Sequence, residues 1–368
     1  MSDPGRVLIC GAGVVGLATA QALARRGTLT TVIDRVGIAP AASGKAGGFL
    51  ALDWNDATAL GALSRRSFEL HRELHDTLDA DYGYRPVETV MAVGSESGWP
   101  TRLVGPSDSP WLDGNVLVRG VMGTHETTAQ VDPRRFCEAL WADAEAHGAE
   151  LLTGRVDAVE GGAPGGGARG VVVDGTLVPG DTVVVAIGPW TGRLDLSLPR
   201  VRGVKGASII LAAEVPAQVV FSEFVTRGGD RYTPEIYPRA DGEVYVCGVP
   251  SRDPLPATPE EVAASDEDCE TLVRLAAAHS SRLDGAEVTS RQGCFRAVTD
   301  DGLPLIGPIP GMARAYVATG HGPWGILNAP ATGEMLAEMI LDGGARTIDP
   351  TPYRPERGAI RTEPGAGP

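Results

Sequence analysis

The sequence predicts an α/β fold: a nucleotide-binding domain built on a βαβ unit, and a second domain made of antiparallel β-sheet. Three observations predict it. A glycine-rich turn at Gly11 to Gly16 separates an apolar run from a helical stretch, short strand-like runs crowd residues 207 to 247, and a strand-then-helix texture returns after residue 314.

Arg6 to Cys10 (RVLIC) is a short apolar strand. The glycine turn, an Ala/Leu-rich helix to Arg26 and a second apolar run, Thr30 to Ile33 closed by Asp34, complete the βαβ unit. Apolar residues at Leu60, Leu63, Phe68, Leu70 and Leu74 keep helical spacing and predict a helix over 56–78. Asp132 as N-cap and Pro133 at the first helical position start another helix that runs to His147-Gly148.

Strands are expected at 149–153, 170–173 and 182–187, with the glycine-rich loop 161–167 as a flexible hairpin connection. Further strands fall at 207–212, 219–225, 235–239 and 243–247, the last two joined by the turn Ala240-Asp241-Gly242. After the strand at 314–319 and the loop 320–328, a helix is expected from about Ala331 to Leu341, stopping near Gly343. The nucleotide domain is therefore discontinuous, taking 1–85, 130–205 and 290–350, and the second domain takes 86–129 and 206–289. The remainder, 351–368, is rich in Pro, Gly and charge and reads as a flexible tail.

A chain of 368 residues with 43% hydrophobic content can bury a large core without disulfides or metals. No run of about 20 apolar residues occurs, so no membrane span is expected. Five scattered cysteines without CxxC spacing argue against a disulfide framework or a zinc site, and with no export signal at the N-terminus a cytoplasmic location is expected. The formal net charge of −15, without a cluster of Lys or Arg, disfavours nucleic acid as a partner.

Gly11-Ala12-Gly13-Val14-Val15-Gly16 matches GxGxxG between a strand and a helix, with Asp34 about 20 residues on. Gly11 permits the tight turn, Gly13 lets backbone approach a pyrophosphate, Gly16 lets helix and strand pack closely, and Asp34 accepts from a ribose diol. The fingerprint alone leaves FAD and NAD both open.

Four segments in order then resemble the D-amino-acid oxidase superfamily, which includes glycine oxidase and sarcosine oxidase. They are the fingerprint, Ala42-Ser43-Gly44-Lys45-Ala46-Gly47-Gly48-Phe49, Ala186-Ile187-Gly188-Pro189-Trp190, and Gly293-Cys294-Phe295-Arg296 through Gly320-His321-Gly322-Pro323-Trp324-Gly325-Ile326. SGKAGGFLA and the run 324–333 resemble a poorly defined microbial and fungal branch of it.

The resemblance implies a Rossmann-type FAD-binding domain and a substrate domain, with FAD as cofactor. The FAD residues it implies, together with those of the fingerprint, are Gly11, Gly13, Val14, Val15, Gly16, Asp34, Arg35, Ser43, Lys45, Ala46, Gly47 and Gly48, followed by Val156, Gly188, Trp190 and Cys294, and then Gly320, His321, Gly322, Trp324, Gly325, Ile326 and Thr332. Thr332 caps a helix or touches the flavin tail in this reading. Lys45 could equally be a solvated lysine, Trp190 plain core and Cys294 a small buried thiol rather than a covalent FAD link.

Arg296 matches the arginine that pairs with a substrate carboxylate, a planar anion that a guanidinium fork suits; a structural ion pair is the competing role. Tyr237 and Tyr245 lie on the substrate sheet, where one faces the pocket or both serve core or surface packing; Tyr245 is taken as a catalytic candidate, and His321 is given a positioning role. Two departures stand out. Ala297 follows Arg296 where glycine oxidases have proline, and Val246 stands where sarcosine-oxidase-like members carry an oxygen-activating lysine.

The expected function is hydride transfer from the C–N bond of a small amine or amino acid to flavin, giving an imine and, with oxygen, hydrogen peroxide. The alternatives are a dehydrogenase with another acceptor, a tailoring enzyme for a larger natural product, a non-catalytic flavin-binding regulator, and an NAD enzyme. No metal is expected.

Overall fold

The computed structural model describes residues 5–98, 109–161, 166–251 and 253–357. Among the described residues the α-helices are α1 (Val14–Ala24), α2 (Gly61–Thr77), α3 (Pro133–Ala146), α4 (Asp266–His279) and α5 (Gly325–Asp342). None of the helices among the described residues is long and apolar enough to cross a membrane.

The strand Val7–Cys10 lies inside a six-stranded sheet, parallel to Thr30–Asp34 on one side and Thr182–Val185 on the other. Glu150–Thr153 and Ala315–Thr319 extend it in parallel, and Leu305–Pro308 closes one edge antiparallel. Val7 to Cys10 are wholly buried because both faces are covered. Val7 and Ile9 pack toward α1, α3 and α5, while Leu8 and Cys10 pack against a small antiparallel sheet of Val156–Gly161, Ala168–Val173 and Thr176–Pro179. Helices α1 and α5 touch closely at Gly333, where a Cβ would sit 2.5 Å from the Ala18 carbonyl oxygen.

An eight-stranded sheet forms the second half. Its order is Glu287–Thr299, Val201–Ala212, Glu243–Pro250, Glu235–Pro238, Gln218–Val225, Glu88–Ser95 and Val116–Gly123, with Arg231–Tyr232 paired onto Gln218–Val225. All pairs are antiparallel except Gln218–Val225 with Glu88–Ser95, which is parallel, an arrangement no tight hairpin could make. One face packs Ile209, Val244 and Val246 against α4, and the opposite face looks toward the nucleotide half.

Several elements differ from the sequence reading. Residues 55–60 form turns, so the helix expected over 56–78 begins at Gly61. The strands Glu287–Thr299 and Val201–Ala212 pair along their length, from Val201 with Thr299 to Ala212 with Glu287, so the chain leaves this sheet after Thr299 rather than at 290. In the glycine loop, 162–165 lie outside the described residues, but the strands flanking it do pair antiparallel. The tail from 351 is packed as far as 357: Tyr353 is buried with its hydroxyl donating to Ala59 O at 2.7 Å, and Arg357 pairs with Asp301 at 2.9 Å. Residues 358–368 lie outside the described residues. All five cysteines are free.

Candidate active site

A cleft of about 1150 Å³ runs between the two sheets. Small-molecule sites usually span roughly 300–1,000 Å³, so this one has room for a dinucleotide and a substrate together. One end is built on the glycine turn. Gly11 has φ +107°, and a Cβ there would lie 2.5 Å from the Ala186 carbonyl oxygen, so only glycine fits.

Gly13 is the N-cap of α1 and supplies no side-chain cap, and the first turn holds no acidic residue. Val14 N–H donates to Ser43 Oγ at 3.0 Å; the neighbouring first-turn amides have no intrahelical acceptor and face a region that favours anions. Asp34 Oδ2 accepts from Ala12 N at 2.9 Å, and Oδ1 accepts from Val36 N at 2.9 Å and Gly37 N at 3.2 Å. A carboxylate offers about four lone-pair sites, which leaves capacity for a ribose hydroxyl. Arg35 crosses the mouth to Glu260 at 2.9 Å.

Of the residues expected to contact the cofactor, all line this cleft except Gly16, Lys45 and Thr332. Gly16 packs against the Gly11 carbonyl. Lys45 is half-buried and donates from Nζ to Gly293 O at 3.1 Å, so it ties its loop to the strand Glu287–Thr299 instead of reaching the cleft; burial lowers its pKa. Trp190 lines the cleft and also donates from Nε1 to Pro256 O at 3.2 Å.

Thr332 is inside α5, not at its cap. The helix begins at Gly325, six residues before the expected start, and runs through Pro330. Proline has no N–H for the carbonyl of residue 326, and normally ends a helix. Here Ala331 N donates instead to Ser67 Oγ at 3.1 Å, and His71 Nε2 reaches Ile326 O at 3.0 Å and Leu327 O at 3.2 Å. Two residues of α2 therefore repair the break and let α5 start at the cleft, with its N-terminus among the lining residues.

The same logic fixes His321. Thr332 Oγ1 donates to Asn328 O at 2.8 Å, so it accepts from His321 Nε2–H at 3.1 Å. His321 is thereby held in one tautomer at the cleft wall.

Burial lowers His71, His279 and His321 to about 4. Each stays neutral when folded but titrates near 6.5 when unfolded, so its contribution is complete above that value and drains away as pH falls toward 4. Urea unfolding should give an unfolding free energy insensitive to these histidines above pH 7 that falls between pH 6.5 and 5, by on the order of 2 kcal/mol per histidine at pH 5. A flat profile from 7 to 5 would contradict neutral burial.

The other wall is one face of the eight-stranded sheet, where alternate residues point into the cleft: Phe221, then Glu235 and Tyr237, Tyr245 and Cys247, Cys294 and Arg296. Val246 points the other way into the core, and its neighbours Tyr245 and Cys247 face the cleft. Burial raises both tyrosines and the Cys294 thiol, the latter against the opposing charges of Arg296 and Lys45. Arg296 is exposed along the cleft, and its side chain makes no ion pair or hydrogen bond among the described residues. A structural ion pair is therefore not its role.

Sequence reasoning missed Glu235 and the aromatic cluster of Phe49, Trp54 and Phe221, which also line the cleft. The period-2 spacing of Glu235 and Tyr237 on one short strand was the available signal.

The profile of the family described as FAD dependent oxidoreductase (DAO) matches residues 6–339. The Schizosaccharomyces pombe protein C1F5.03c, provisionally named an oxidoreductase, is 30% identical across 95% of this chain and 97% of its own. A glycine oxidase of Pseudomonas aeruginosa is 28% identical across 95% and 98%. Among solved structures, a glycine oxidase from Geobacillus kaustophilus superposes with a TM-score of 0.76 at 23% identity, covering 96% of this chain and 99% of that one, a likeness of fold.

Proposed function

Since the chain belongs to the FAD dependent oxidoreductase family, we propose that it oxidises the C–N bond of a small amine or amino acid held by its carboxylate on Arg296. FAD, when bound, supplies the hydride acceptor. Gly11, Gly13, Ser43 and Asp34 would hold its adenine dinucleotide, and the loop 320–326 its ring end.

The unpaired guanidinium of Arg296 in the cleft is the observation that carries this reading. It would fix the substrate's carboxylate bidentately and so orient the α C–H. His321, neutral at working pH, and Tyr245 shape the floor and wall. The imine product hydrolyses in water to a carbonyl compound. If oxygen takes the electrons, peroxide forms.

Anaerobic mixing of the holoenzyme with a panel of amino acids and secondary amines is expected to bleach the flavin absorbance. A panel without any bleaching would sink the proposal.

A second reading, with an acceptor other than oxygen, is favoured by one feature: no lysine is among the cleft-lining residues described. Oxygen uptake that stays below a tenth of the rate with an artificial electron acceptor would select it.

A further inference from the structure

The geometry points to a second recognition element in the cleft: Glu235, with the aromatic rings beside it, receives a cationic group at the far end of an amino-acid substrate. The substrate class would be amino acids whose side chain ends in an amino or guanidino group. This deepens the reading just given and rests on it.

Glu235 lines the cleft on the strand next to Cys247, with which it is in register. Tyr237 Oη donates to its Oε2, and Cys247 Sγ approaches the same oxygen at 3.5 Å. Both donors are neutral, since burial raises the phenol and the thiol. They orient the carboxylate but do not neutralise it, and no described residue donates to Oε1. With both donors on Oε2, Oε1 is free to accept from a ligand cation.

The surroundings suit a cation. Phe49, Trp54 and Phe221 form a cluster with ring centroids 5.0 to 5.1 Å apart, and Tyr237 joins it at 5.9 Å from Phe221. Aromatic faces attract ammonium and guanidinium groups, most strongly where water is excluded.

Position separates this site from the reacting nitrogen. Glu235 and Arg296 lie on strands three spacings apart, and Glu235 is level with Gln292, four residues before Arg296, so their Cα atoms are on the order of 19 Å apart at about 4.8 Å per strand and about 3.3 Å per residue. The long Arg296 side chain closes part of that span. What remains is far more than the gap between a carboxylate and an amino group on one carbon, and it suits the length of a diamino acid.

The test uses the holoenzyme and two probes, 6-aminohexanoate and hexanoate, followed by perturbation or bleaching of the flavin spectrum. The expected result is a Kd for 6-aminohexanoate about tenfold or more below that of hexanoate, with the difference reduced to under about threefold in Glu235→Gln. Glutamine can still accept the Tyr237 hydroxyl, and retention of the bound-flavin spectrum checks that the variant is folded. Equal binding of the two probes by the natural protein, binding of neither, or discrimination that survives in Glu235→Gln would each overturn the proposal. Anaerobic reduction by lysine or ornithine against norleucine is read separately. Probe discrimination with no reduction by any amino acid would support the cation site and sink the oxidation reading instead.

Discussion

Replacing Arg296 by methionine is expected to lower kcat/KM for a carboxylate-bearing substrate by about 10²- to 10³-fold while leaving FAD bound. The side chain carries no other partner among the described residues, so its loss breaks no internal ion pair and the fold should be undisturbed. What it would remove is the counter-charge for a substrate carboxylate, and truncating one partner of a charge pair that the bound substrate shields from water costs roughly 2–5 kcal/mol. Arg296→Lys keeps the charge but not the planar fork, so it should recover only part of the loss. A purely structural arginine would show the reverse pattern, with a lowered unfolding midpoint and unchanged turnover.

Gly13→Val is expected to give a folded protein that has lost its yellow cofactor. Gly13 has an ordinary extended backbone, φ −76° and ψ 171°, and a Cβ there would meet only Ser43 Oγ at 3.2 Å, which a shift of a few tenths of an ångström relieves at the cost of weakening its bond from Val14 N. The added bulk then falls where the pyrophosphate must approach the start of α1. Overpacking of about 1–3 kcal/mol is the usual cost of such a clash, so FAD affinity should fall on the order of 100-fold. Gly11→Ala is the contrast: its φ of +107° and the Ala186 carbonyl 2.5 Å away make it damage the fold itself. Near-normal flavin content in Gly13→Val would contradict the placement of the dinucleotide.

The nucleotide half was legible because its signals are local. One turn between a strand and a helix places Gly11 to Gly16, and Asp34 closes the next strand; Asp132 and Pro133 likewise announce α3, where Asp132 accepts from Arg135 N at 2.9 Å. The cleft's second wall was harder to read, because its strands pair across the chain. Glu88–Ser95 sits beside Gln218–Val225, more than 120 residues away, and no local pattern declares that register.

The start of α5 was expected six residues late, beyond Pro330, which the helix in fact contains. Proline is a sound stop signal for an isolated helix, and here the stop is overridden by Ser67 and His71 from α2. The segment 351–357 was misread similarly, its composition being that of a loose tail while Tyr353 and Arg357 are held by Ala59 and Asp301. Lys45 lies in a matching loop yet turns away, since a motif names residues and the fold decides which side chains face the ligand.

The central claim is that a substrate carboxylate sits on Arg296 beside the flavin. Anaerobic reduction of the natural holoenzyme by the best amino acid of the panel, set against the same compound without its carboxylate, tests it most directly. The amino acid should bleach the flavin at least about 100-fold more efficiently than the decarboxylated amine, the equivalent of ~2.7 kcal/mol. Equal rates for the two would contradict it.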